Sequence, residues 1–161
     1  MAKKCVFLDR DGTINFAPPP GEYILSVAEF RLIPILIDWI KLFNALDYLV
    51  IVVTNQRCVA RGMLALDELQ RIHGHMQAEL ARVGAVLDDI FFCPHDNAEC
   101  RCRKPMPGMI DAAVAKWGID LGHSLMIGDS DVDRDLARAC GLKFVRVWEG
   151  SIRSIEVGGS V

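Results

Sequence analysis

Cys5-Val-Phe-Leu-Asp9-Arg-Asp11-Gly-Thr13 decides the fold of this chain. Cys5–Leu8 is a short apolar run, which reads as a buried strand. It stops at Asp9, and Asp9 and Asp11 set two carboxyl groups two positions apart just past its end. Tyr48-Leu-Val-Ile-Val-Val53 repeats the pattern and stops at Thr54. Its β-branched run does not alternate with polar residues, so it belongs in a parallel sheet covered on both faces. Ile90–Cys93, Ser124–Ile127 and Lys143–Val147 read as three further short strands, and the fourth strand ends in Gly128-Asp129.

Helices fit between these strands. Pro34 suits a first helical turn, and Ile35, Leu36, Trp39, Ile40, Leu42, Phe43 and Leu46 behind it predict a helix apolar nearly all round and well covered. Leu66, Leu69, Ile72, Met76, Leu80 and Val83 keep the 3–4 spacing of an amphipathic helix, with Gly84 as its stop. Met109, Ile110, Ala113, Val114 and Trp117 form a third stripe, stopped by Gly118. A short fourth helix over 132–140 is stopped by Gly141. Residues 15–31, with Pro18-Pro19-Pro20-Gly21, form a loop. The order predicts an α/β domain: a doubly wound, Rossmann-like parallel sheet with helices on both faces. It spans residues 1–150, followed by a tail over 151–161 that is poor in core residues and is expected to fray. In such sheets the ligand crevice lies beyond the carboxyl ends of the strands. Asp9, Thr54 and Asp129 each follow a strand, so the fold would gather them at one edge.

Composition narrows the classes. The 161 residues make one domain, and 52% apolar content suffices for a core without disulfides. A formal net charge of −3 gives no basic excess for nucleic acid. No apolar run reaches the ~18 residues of a membrane span, and the start is too short in apolar residues for a signal peptide. The expectation is a cytoplasmic monomer, with neither nucleic acid nor membrane as partner.

Gathering Asp9, Asp11 and Asp129 is costly unless a cation neutralises them, and oxygen ligands of this kind suit Mg²⁺. A phosphate bridging to that metal would meet donors at Thr54 and Asn55, and Lys104 would add a point charge. Each piece alone is ordinary. An aspartate after a strand often caps a helix, Thr54-Asn55 is often a turn, and Lys104 alone would be a surface lysine. Asp131 and Asp135 read as capping or solvated; Asp133 divides between metal support and capping. The combination on successive strand ends carries the weight. Six cysteines are present, three of them within ten residues of each other and beside a histidine: Cys93-Pro-His95, then Cys100-Arg-Cys102. Two ligand pairs across a short loop make a closed, structural Zn²⁺ site. The alternative is free thiols beside a surface histidine. His73 and His75 fall on the second helix, where they are expected to be solvated, and His123 falls in a turn.

With these residues set out, the sequence resembles the haloacid dehalogenase superfamily. Phe7–Ile14, Val53-Thr-Asn-Gln56, Arg103-Lys-Pro105 and Ile127–Asp133 match its four motifs in order, across about residues 4–148. The resemblance implies that Asp9 is a nucleophile, that Asp11 is general acid and then base, and that Thr54 and Lys104 hold the phosphate. It places Mg²⁺ on Asp9, the Asp11 backbone carbonyl and Asp129. The cysteine loop over 93–102, followed at once by Arg103-Lys-Pro105, resembles a narrower subgroup. That subgroup contains the D-glycero-D-manno-heptose 1,7-bisphosphate and histidinol-phosphate phosphatases and typically lacks a large cap domain. Val59-Ala-Arg-Gly62 favours the heptose branch. The short His95–Cys100 spacing and the prolines at 18–20 lean toward the histidinol branch, and Arg57-Cys58 departs from the usual Ser-Gly. Arg57, Arg61 and Arg103 are candidates for a second anionic group. A phospho-accepting receiver and a zinc-stapled binding module are the rivals from other classes.

Overall fold

The computed structural model describes residues 1–97 and 100–157. Ala98 and Glu99 of the cysteine loop and residues 158–161 of the tail lie outside the described residues. In chain order the elements are β1 (Cys5–Leu8), α1 (Pro34–Ala45), β2 (Leu49–Asn55), α2 (Leu66–Arg82), β3 (Asp89–Cys93), α3 (Gly108–Trp117), β4 (Leu125–Gly128), α4 (Asp131–Ala139), β5 (Lys143–Trp148) and β6 (Ser151–Glu156). The strands form one sheet in the order β3-β2-β1-β4-β5-β6. The first five run parallel, and β6 returns antiparallel to β5.

The sheet is covered on both faces, which explains the unbroken apolar strands. Strand side chains alternate between faces, and β1 shows it. Val6 and Leu8 pack with Leu69, Ile72, Met76 and Leu80 of α2 and Ile40 of α1. Cys5 and Phe7 pack with Met109, Ile110 and Ala113 of α3 and Leu136 of α4. Two cores therefore sandwich the sheet. The order in which strands are added reverses at β1: β2 and β3 lie to one side of it, β4 and β5 to the other. That reversal opens a crevice at the carboxyl ends of β1 and β4, where Asp9 and Asp129 follow their strands.

Local signals set the helix boundaries. Pro34 occupies the first turn of α1. Gly118 ends α3 in the left-handed conformation, φ 66°. Ser130 opens α4 with a capping box, its side chain accepting from the Asp133 amide while Asp133 reaches back. The segment from Asp9 to Ile33 holds only a 3-10 turn at Val27–Glu29, and no large cap domain is inserted in either early connection. No helix among the described residues is long and apolar enough to cross a membrane.

Two expectations need correction. α1 is not covered all round: Leu36 and Ile40 are buried, whereas Ile35, Leu42 and Leu46 are exposed. The helix rests on the sheet with one face only, and apolar count does not report which face that is. The tail after Gly150 is not frayed over its first residues, because Ser151–Glu156 pairs with β5 as β6. Its sparse apolar content hid it, since an edge strand is held by ladder hydrogen bonds more than by burial. Deleting residues 151–161 will therefore expose β5 and lower unfolding stability by about 2–4 kcal/mol, given about 1 kcal/mol net per lost ladder bond. A urea titration of the truncated chain checks this through its midpoint.

Candidate active site

A cavity of about 210 Å³ at the crevice is lined by Asp9, Asp11, Thr54, Asn55, Lys104, Asp129, Ser130 and Val132. The residues singled out from four separate stretches thus meet in one place. Asp9 leaves β1, Thr54 and Asn55 end β2, Asp129 follows β4, and Lys104 arrives on the loop after β3.

Lys104 holds the centre. It is buried, and its ammonium donates to Asp9 Oδ1 at 2.7 Å, Asp133 Oδ1 at 2.7 Å and the Val53 carbonyl at 2.9 Å. Asn55 fixes the backbone that carries it: Oδ1 accepts from the Lys104 amide at 2.9 Å and Nδ2 donates to the Lys104 carbonyl at 3.2 Å. Asn55 therefore spends its side chain on placing Lys104. Asp133 takes the capping role and pairs with Lys104 as well. Its Oδ2 accepts from Ser130 Oγ at 2.7 Å, while Oδ1 faces Lys104.

Asp9, Asp129 and Asp133 bring carboxylate oxygens within 4.8 Å of one another. Burial, then the neighbouring Asp133 carboxylate, push the Asp9 carboxyl well above its usual range, against the pull of Lys104. Burial and Asp133 likewise raise Asp129. Burial also opposes charge on Lys104, but Asp133 and Asp9 outweigh it and keep the ammonium protonated. Three acids against one lysine leave an excess of negative charge, and the donors are all hard oxygens. This set fits a divalent cation such as Mg²⁺. Space for it depends on two glycines. A Cβ on Gly12, at φ 84°, would lie 2.1 Å from Asp129 Oδ2, and one on Gly128 would lie 2.5 Å from Asp133 Cγ.

The Asp11 carboxylate lines the same cavity but is not one of the three clustered acids. Arg10 holds it through Nε and Nη2, at 2.9–3.0 Å. Asn15 Nδ2 adds a contact at 2.9 Å and Gln56 Nε2 one at 3.2 Å. Gln56 also donates to Thr54 Oγ1 at 3.0 Å. Behind Arg10 stands His73, buried on α2, with Nε2 3.2 Å from Arg10 Nη1. The expectation of a solvated His73 is thus corrected. Its position on the buried face was legible in principle, since it falls four after Leu69 and three before Met76. His75 is half-buried against the Phe30 ring, and His123 sits in an exposed turn.

Arg103 is not part of the cavity lining. Its Nε donates to Asn97 Oδ1 at 3.1 Å, and its Nη1 is buried without a partner among the described residues. Arg57 and Arg61 both pair with Asp96, tying the loop after β2 to the cysteine loop. Asp131 and Asp135 are exposed and pair with Arg134, and Asp131 also meets Arg146. A second, larger hollow of about 480 Å³ adjoins the first at Asp129, walled by Phe16, Pro18, Pro19, Pro20 and Trp148.

Cys93, His95, Cys100 and Cys102 converge at the end of β3 with all ligand atoms within 4.8 Å. Neighbouring separations are 3.4 Å for Cys93–Cys100, 3.2 Å for Cys100–Cys102, and 3.3 Å from His95 Nδ1 to Cys102 Sγ. A tetrahedron about zinc has S–S edges of about 3.7 Å, from a Zn–S bond of about 2.3 Å. Burial resists ionisation of Cys100, but hydrogen bonds from Cys102 and Cys93 bring it down to about 6, so a thiolate is available at neutral pH. The donor set and spacing fit a closed structural zinc site.

Comparisons with known proteins agree with this geometry. A family model described as HAD-hydrolase-like matches residues 101–158. A D-glycero-beta-D-manno-heptose-1,7-bisphosphate 7-phosphatase of Rhodopseudomonas palustris is 38% identical, over 92% of this chain and 84% of that protein. A D-glycero-alpha-D-manno-heptose-1,7-bisphosphate 7-phosphatase of Mycobacterium tuberculosis is 34% identical, over 97% and 80%. The crystal structure of a D,D-heptose 1,7-bisphosphate phosphatase from B. bronchiseptica, complexed with magnesium and phosphate, superposes with a TM-score of 0.84 at 34% identity, covering 91% of this chain and 83% of that one.

Two measurements follow from the site. Cys100→Ser will reduce bound zinc from about one ion per chain to near none, read by elemental analysis; a wild-type protein free of zinc would refute the cluster. The second concerns His73, lowered from 6.5 to about 4 by burial and then by Arg10. The unfolded chain takes up that proton first as pH falls, so native stability drops from about pH 6.5 down to about pH 4. His73→Gln will remove about 2–3 kcal/mol of this loss, measured as the difference between urea unfolding at the two ends of that range.

Proposed function

This chain belongs to the haloacid dehalogenase-like hydrolases, the family of the heptose bisphosphate phosphatases, and from that premise we propose that it hydrolyses D-glycero-D-manno-heptose 1,7-bisphosphate at one phosphate. The observation that carries the reading is the 2.7 Å contact of Lys104 with Asp9 in a buried acidic cavity, with Asp11 two residues further on. We assign the nucleophile to Asp9, whose carboxylate oxygen attacks phosphorus and forms an aspartyl-phosphate. Asp11 protonates the departing sugar oxygen, then takes a proton from the water that opens the acyl phosphate. Lys104 is already charged and in place, so it offsets charge on the phosphoryl oxygens without reorganising. Thr54 offers its hydroxyl to the same group. Asp9, the Asp11 backbone carbonyl and Asp129 would hold Mg²⁺, which supplies Lewis-acid stabilisation of the phosphoryl oxygens when bound.

Relatives' names and the hollow beside Asp129 support the substrate class. The hollow has room for a sugar, and its Phe16 and Trp148 walls offer apolar faces to the ring. Arg103, next to Lys104 in the chain, is assigned to the second phosphate for the planar donor fork of its guanidinium. The same reading takes residues 1–150 together with β6 as the phosphatase unit, and the protein as a cytoplasmic monomer with a small phosphorylated metabolite as its partner.

Asp9→Asn will lower phosphate release more than about 10³-fold, and Asp11→Asn about 10²–10⁴-fold, while leaving Mg²⁺ affinity near wild type because the backbone carbonyl remains. Retained turnover in Asp9→Asn removes it from the mechanism. Against a panel of sugar phosphates and histidinol phosphate, the heptose bisphosphate will give the highest kcat/KM. A preference for histidinol phosphate overturns the substrate assignment.

A further inference from the structure

His73 takes no part in the chemistry just assigned, yet the fold buries it. It lies on α2, inside the apolar layer between that helix and the sheet, with the Phe92 ring centroid 5.7 Å away. Its Nε2 meets Arg10 Nη1 at 3.2 Å. A guanidinium has no acceptor, so Nε2 must be the unprotonated nitrogen and the ring proton rests on Nδ1. Burial and the Arg10 charge both favour this neutral ring.

Arg10 itself is fully buried. Its guanidinium has two side-chain partners among the described residues, Asp11 on one side and His73 on the other. Three of its contacts end on the Asp11 carboxylate, more than Asn15 and Gln56 supply together. Only the bond to His73 fixes the far corner of the guanidinium plane. Without it the fork could tilt about its near edge and carry Asp11 with it.

We propose that His73 is a positioning residue for the phosphatase reaction. By accepting from Arg10 Nη1 it locks the guanidinium, and the locked guanidinium aims the Asp11 carboxyl at the leaving-group oxygen. The inference rests on the role assigned to Asp11 above. That role needs proton transfer over hydrogen-bond distance, and a displacement of about 1 Å in such a group can cost up to about 10²-fold in rate.

The test compares kcat/KM, which reports the steps through leaving-group departure, on two substrates. A sugar phosphate releases an alcohol that must be protonated; 4-nitrophenyl phosphate releases a phenolate that need not be. The ratio between them is insensitive to the fraction of enzyme that is folded, since unfolding lowers both alike. His73→Asn, too short to reach Arg10, and His73→Leu will each lose about tenfold on the sugar phosphate. Both will lose less than about twofold on 4-nitrophenyl phosphate and keep wild-type Mg²⁺ affinity. His73→Gln, which can still accept from Arg10, will stay within about twofold of wild type on both. Equal losses on the two substrates, or no loss on the sugar phosphate, would overturn the inference. Asp11→Asn, run in parallel, separates the two claims. If its loss depends on the leaving group and that of the His73 variants does not, the positioning role falls and the acid role stands. If the Asp11→Asn loss is the same on both substrates, the acid role falls and takes this inference with it.

Discussion

The ammonium of Lys104 is the constraint on which the rest of the site depends. A lysine has three N–H donors, and all three are taken: Asp9 after β1, the Val53 carbonyl on β2, and Asp133 on α4. A buried charge is tolerable only when it is paired and hydrogen-bonded to this degree. The same three bonds tie together elements far apart in sequence, so the cavity's shape and its charge balance have one cause. Breaking such a buried pair by removing one partner typically costs about 3–5 kcal/mol. The site is thus part of the fold's own stability rather than an appendage to it.

Around that ammonium the backbone has been thinned to admit acids. Gly12 and Gly128 lie directly against the carboxylates of Asp129 and Asp133, and no side chain fits at either position. The acids are thereby crowded closer than their own repulsion favours, which is why burial and Asp133 raise Asp9 and Asp129 together. A pocket in this condition favours a divalent cation over a monovalent one, because neutralising it takes more than one unit of positive charge. Asp11 escapes the crowding by pairing with Arg10, which keeps its carboxyl apart from the other three.

Much of this was legible in the sequence, for a physical reason. Parallel strands covered on both faces need continuous apolar runs, and each run stops where chemistry begins; hence Asp9, Thr54 and Asp129 could be placed at one edge. The cysteine pairs were legible because their chemistry demands short spacings. What escaped notice depends on facing direction. α1 looked buried all round because counting apolar residues says nothing of which face meets the sheet. β6 looked like a tail because Ser151–Glu156 buries little, and hydrogen-bond pairing leaves no hydrophobic trace. His73 looked solvated because a histidine on an amphipathic helix usually is; its register with Leu69 and Met76 said otherwise, but only Arg10, distant in sequence, gives it a reason to be inside. Asn55 lines the cavity as its position after β2 implies, but its side-chain grip on the Lys104 backbone joins residues too far apart in sequence to be read there.

One covalent link has reach beyond its length. Cys102 and Lys104 are separated by a single residue, Arg103, and Asn55 grips the far end of this short span from β2. The cysteine cluster and the reaction pocket therefore share a rigid strut. A zinc ion at Cys93, His95, Cys100 and Cys102 would in this way set the posture of a lysine that faces the acidic pocket, although the two clusters share no residue.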